Sequence, residues 1–187
     1  MSSQIAVGVD PGFARFGVAV VERVGGRVKL LKALCVKTKK GTQKIKSGLR
    51  VSSDDLGRHS AIYDGFVDVV RGYHVTCVGV ENYQTMPGGS ASAAKTLVSF
   101  GGVLWWCFLN DVFVTVSLPV DLKKRFCFGK DRSKEAVEAS LCRSVVGLAD
   151  VLRTTNKGDR EHISDAIGHA LLAFEEADAI ARIRGAL

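Results

Sequence analysis

Apolar and polar positions divide the chain into alternating strand and helix segments. Ile5–Val9 is a wholly apolar run that ends in Asp10, and Pro11-Gly12 turns the chain into a second apolar run, Phe16–Val21. Unbroken apolar runs of this length predict strands buried on both faces. Val28–Val36 predicts a third strand, and Gly25-Gly26 between the second and third is a hairpin signal. The chain therefore opens as an antiparallel three-stranded meander. Ser52 or Ser53 caps a predicted helix to about Arg71, with Leu56, Ile62, Tyr63, Phe66 and Val70 as its apolar stripe and Gly72 as its stop. Val75–Val80 predicts a fourth strand, which also ends in a carboxylate, Glu81.

Asn82–Gly89 is a predicted loop, in which Tyr83 is either a core aromatic or a base-stacking residue. Ala91–Leu109 predicts a helix that is apolar almost all round in its later half, as expected of a helix covered on two sides. One side would be the sheet and the other a second subunit, with Trp105 and Trp106 protected in the core or at that contact. Val112–Leu118 predicts the fifth strand, ended by Pro119. A short helix turns Ala136, Val137, Leu141 and Val145 inward, and a polar linker, Leu152–Gly158, leads to a last helix from about Asp159 to Ile183. Asn110 and Asp111 interrupt the apolar stretch Leu97–Val120, so no membrane span is expected.

A length of 187 residues suits a single domain spanning residues 1–187. The formal net charge of +7 favours polyanionic partners, nucleic acid first. The five cysteines contain no C-x-x-C pair, which argues against structural zinc and for a reducing compartment. Met1-Ser-Ser-Gln shows no secretory signal, so an intracellular site is expected, in cytoplasm, nucleoid or a DNA-containing organelle. Lys37, Lys39, Lys40, Lys44, Lys46 and Arg50 form a run without an acid, either a solvated loop or a phosphate-contact region. A second basic segment holds Lys123, Lys124, Arg125, Lys130, Arg132 and Lys134.

An ionised carboxylate at the end of a buried strand needs a cation or a metal beside it. Asp10 and Glu81 come together if their strands are neighbours. On the last helix His162, Asp165 and His169 follow one edge of the stripe formed by Ile163, Ile167, Ala170, Leu171 and Phe174. Asp10, Glu81 and Asp165, with a fourth ligand at His162, are the oxygen-rich set that Mg²⁺ prefers. Two such ions promote phosphodiester hydrolysis.

Three segments, Asp10-Pro-Gly-Phe-Ala-Arg-Phe-Gly-Val-Ala, Val80-Glu81-Asn-Tyr and His162-Ile-Ser-Asp165-Ala-Ile-Gly-His-Ala-Leu, resemble in order and spacing the acidic motifs of RuvC-type Holliday-junction resolvases. Lys123 or Lys124, Gly129 and Lys134 are similar to that family's basic segment. The resemblance implies an α/β, ribonuclease-H-like fold, a five-stranded mixed sheet flanked by helices. It also implies a homodimer that nicks two strands of a four-way DNA junction symmetrically, using two Mg²⁺ or Mn²⁺ ions per site. Asp10, Glu81 and Asp165 become metal ligands and Lys134 a phosphate-contacting or catalytic-support residue. Many relatives carry an acid where His162 stands, and Asp159 is the alternative fourth ligand. Rival readings are a monomeric nuclease of the same fold acting on RNA–DNA hybrids or other branched DNA, and a basic DNA-binding module without chemistry.

Overall fold

The computed structural model describes residues 3–41, 53–82, 91–127 and 131–185. One mixed sheet organises them, in the order β5-β4-β1-β2-β3-β6. The expected meander is β1 (Gln4–Asp10), β2 (Arg15–Val24) and β3 (Arg27–Lys37). Gly25 and Gly26 both adopt positive φ, at 56° and 81°, which matches a two-residue turn to the twist of its strands. Helix α1 (Ser53–Val70) returns the chain to β4 (Cys77–Glu81), parallel to β1, and α2 (Ala91–Leu109) returns it to β5 (Phe113–Ser117), parallel to β4. The short helices α3 (Pro119–Phe126), α4 (Lys134–Ser144) and α5 (Leu148–Thr154) precede the long α6 (Lys157–Ile183).

Three details differ from the sequence reading. The sheet has a sixth strand, β6 (Val145–Val146), a two-residue parallel addition to β3. Pro119 ends β5 but also opens α3. It occupies the first helical position, where no N–H is needed, and Asp121 accepts a hydrogen bond from the Leu118 amide at 3.0 Å. Part of the expected polar linker is α5, whose Leu148 and Leu152 are buried.

Strand side chains alternate between the two faces of the sheet, and each face has its own core. Val7, Val9, Phe16, Val18 and Val20 pack with Ile62 and Phe66 of α1 and Val103 of α2. On the opposite face Ala6, Ala19, Val21 and Cys77 meet Ile163, Ala166, Ile167 and Ala170 of α6. Full burial of a large apolar side chain such as Phe16 or Ile167 stabilises by about 1.5–3 kcal/mol.

The α6 face holds the feature that positions the site. Gly8, Gly17 and Gly79 form a row across β1, β2 and β4 beneath α6. A Cβ on Gly8 would lie 1.6 Å from the carbonyl oxygen of Ala166, one on Gly17 2.2 Å from that of His162, and one on Gly79 2.0 Å from that of His169. Only glycine lets the helix backbone come so near the sheet.

Candidate metal and nucleic-acid site

Period-two alternation sets the acids on the α6 face. Along β1 that face reads Ala6, Gly8, Asp10, and along β4 it reads Cys77, Gly79, Glu81. Gly8 pairs with Gly79 and Val9 with Val80, so both acids project from the same ends of neighbouring parallel strands. The turn after Asp10 is anchored from behind. Phe13 lies 3.8 Å beneath the Arg58 guanidinium of α1, and its carbonyl accepts a 2.5 Å hydrogen bond from the Thr38 hydroxyl.

Helix α6, held close by the glycine row, brings Asp165 over these strand ends. Asp10, Glu81 and Asp165 each offer a carboxylate oxygen, and the three oxygens lie within 4.8 Å of one another. Two unit negative charges about 4 Å apart repel by about 4 kcal/mol at an effective dielectric near 20. Burial first, and then the charges of Asp10 and Glu81, push the Asp165 carboxyl up to about 7. Burial raises Asp10 as well, against the opposing hydrogen bond from His162. The arrangement is costly without a cation, and its hard oxygen donors suit a divalent ion such as Mg²⁺ or Mn²⁺.

His162, one turn before Asp165, lies against Asp10 with Nδ1 2.6 Å from Oδ2. That bond raises the affinity of the imidazole for a proton and leaves Nε2 as the ring nitrogen not committed to Asp10. Asp159, the alternative ligand, stands elsewhere. Its buried carboxylate is bound by Lys37 at 2.5 Å, by Arg15 at 3.4 Å and by the Asn156 amide. Burial acts to raise its pKa, but these donors together hold it below the ordinary carboxylate value.

Cations flank the acids on two sides. Arg15 and Lys37 are paired across β2 and β3, just beyond the Gly17 partner of Asp10, and remain half-exposed over Asp159. Lys123 and Lys134 line a cleft with Glu81 and Asp165. Lys134 also bonds Glu161, the first cause of its raised pKa, with Asp165 and Asp10 adding to it. Lys124 is exposed and pairs with Asp121 at 3.6 Å, and Arg132 is exposed ahead of α4. Lys39 is exposed beyond β3, and Lys40 lines a separate cleft with Asp54 and Arg58. Lys44, Lys46, Arg50, Tyr83, Gly129 and Lys130 lie outside the described residues.

Sequence reasoning missed Arg15, Arg58 and the glycine row. Glycines inside apolar runs were the available signal for the row, since they mark close backbone approach. The expectation for the tryptophans divides. Trp106 is half-buried and meets Phe66 edge-on, with ring centroids 5.3 Å apart. Trp105 is 59% exposed and so is not a core residue of the isolated chain. Among the described residues no helix is long and apolar enough to cross a membrane.

The fold recurs in solved resolvases. Thermus thermophilus RuvC, in complex with a Holliday junction substrate, is similar at 22% identity, with 90% of each chain covered and a TM-score of 0.64. The fowlpox virus resolvase in complex with Holliday junction DNA is 15% identical over 89% of this chain and 95% of that one, at a TM-score of 0.54. The yeast mitochondrial Holliday junction resolvase is 10% identical over 88% and 75% of the two chains, at 0.61. Among curated proteins none matches. The family model for crossover junction endodeoxyribonuclease RuvC matches residues 6–173, a stretch that takes in all three acids, and the chain therefore belongs to the RuvC family.

Proposed function

We propose that this chain is a single nuclease domain over residues 1–187 that resolves four-way DNA junctions. It works as a homodimer that places paired, symmetrical nicks. The observation that carries this reading is the convergence of Asp10, Glu81 and Asp165 from three separate parts of the chain. These residues would hold two Mg²⁺ or Mn²⁺ ions, with His162, which lies against Asp10, as the further ligand. The ions, when bound, supply a more nucleophilic water and charge neutralisation at the leaving oxygen.

The protein's own groups do the remaining work. His162 orients Asp10, and Lys134 and Lys123 present cations to the phosphate in the cleft beside Asp165. Arg15 and Lys37 meet the backbone on the β2–β3 side. Such phosphate contacts position the duplex without reading its sequence.

The dimer reading rests on the outer face of α2. Val98, Trp105, Phe108 and Leu109 are exposed there at helical spacing, and Gly101 leaves open space in the middle of the stripe. A contiguous apolar stripe of this kind marks a protein contact surface.

Asp10→Asn tests the assignment. Cleavage of a synthetic four-way junction should fall by at least about a thousandfold, with junction binding unchanged. A variant that cuts at the wild-type rate would place the chemistry elsewhere. Products mapped on wild-type protein should show nicks at symmetrically related positions.

A further inference from the structure

We propose that His169 is a positioning residue for Glu81. It holds that carboxylate in the orientation needed to bind a divalent cation, and Ser117 fixes the imidazole that does so. This inference deepens the metal-site reading of Asp10, Glu81 and Asp165 and rests on it.

His169 lies one turn beyond Asp165 on the same face of α6 and is 0% exposed. Its Nδ1 is 2.7 Å from the Ser117 hydroxyl, and its Nε2 is 3.5 Å from Glu81 Oε2. Among the described residues Nε2 has no hydrogen-bond partner, although it is completely buried. A buried N–H left without a partner costs about 1–3 kcal/mol, so a histidine that merely filled space would be replaced at a gain by an apolar side chain. Here the open nitrogen faces a carboxylate, about half an ångström beyond a normal N–H···O contact.

The tautomer follows from the two neighbours. An ionised carboxylate only accepts, so the ring proton belongs on Nε2, and Nδ1 accepts from the Ser117 hydroxyl. The register supports one unit. Ser117 is the β5 partner of Glu81, and Gly79, two residues before Glu81 on the same strand, admits the α6 backbone at His169 itself. Strand end, helix and neighbouring strand thus fix the Ser117–His169–Glu81 line together. Partners behind metal ligands typically tune affinity by 10- to 100-fold.

The test measures Mn²⁺ binding to the full chain by calorimetry, with four-way junction affinity in EDTA measured beside it. His169→Phe should weaken Mn²⁺ binding roughly 10- to 100-fold and leave metal-free junction affinity unchanged. His169→Gln, whose amide nitrogen can take the place of Nε2, should return Mn²⁺ affinity to within about threefold, and Ser117→Ala should weaken it several-fold. Wild-type Mn²⁺ affinity in a folded His169→Phe protein, or no recovery with Gln, overturns the proposal. If the Phe variant does not fold, Ser117→Ala decides: a several-fold loss supports the proposal and an unchanged affinity overturns it. Glu81→Gln separates the two levels. If it too binds Mn²⁺ like wild type, the metal-site reading fails; if it alone is weakened, only the role of His169 fails.

Discussion

Gly17→Ala tests whether the glycine row sets the position of α6. Gly17 pairs with Asp10, and a Cβ there would lie 2.2 Å from the His162 carbonyl oxygen and 3.1 Å from the His162 Cβ. A non-bonded carbon–oxygen contact needs about 3.3 Å, so helix and strand must separate by about 1 Å. Strand propensity alone favours alanine by roughly 0.5–1 kcal/mol. Overpacking a close-packed interface costs about 1–3 kcal/mol, so the steric effect wins and the net change is a loss of about 1–2 kcal/mol. At about 2–4 °C per kcal/mol for a domain of this size, thermal melting should fall by several degrees. Function should suffer more, because the displaced turn carries His162 and leads into Asp165. A misplacement of about 1 Å typically costs of order 100-fold in rate. Melting in EDTA and single-turnover cleavage of a four-way junction measure the two effects. A variant that melts above wild type and cuts within about threefold of it would show that the row does not set the helix depth.

Acid–base linkage gives a second expectation for metal-free protein. The folded state holds Asp165 at about 7 and keeps Asp10 raised, whereas unfolded carboxyls titrate near 4, so the folded state binds more protons between these values. Stability should therefore decline as pH rises from about 4 through 7, and His162, also raised in the folded state, should extend the decline above about 6.5. Melting temperatures at pH 5 and 8 should differ in that sense, Asp165→Asn should flatten the profile, and Mn²⁺ should remove the difference. A flat profile for the metal-free wild type would contradict the burial of these charges. Trp105→Glu on the outer face of α2 should halve the sedimenting mass and expose the remaining apolar stripe. If the proposed α2 contact forms, wild-type Trp105 should resist quenching by iodide, and strong quenching of a monomeric wild type would rule that contact out.

Much of this architecture was legible because burial leaves a direct trace in the residue pattern. The unbroken runs ending in Asp10 and Glu81 are β1 and β4, and the apolar segment Ala91–Leu109 is α2 with those bounds. The parts that could not be read depend on register and on neighbours. The glycines form a row only once β1, β2 and β4 are paired, and Ser117 gains its meaning only from standing beside Glu81. Asp159 has the charge of a fourth ligand but not the position of one. Six residues before Asp165 is about 240° around the helix, which turns it toward Arg15 and Lys37. His162, three residues before Asp165, stays on the side of Asp10. Trp105 shows the limit of composition, since a helix apolar all round does not reveal which of its faces the same chain covers.

The three carboxylates come from β1, β4 and α6, so on the proposed site a polypeptide still emerging from the ribosome would not cut DNA until α6 had docked. A fragment ending before Lys157 carries Asp10 and Glu81 yet lacks Asp165 and the helix that would roof them. On the proposed site, cutting competence would therefore arrive only with α6, and a fragment truncated ahead of that helix should leave a four-way junction intact.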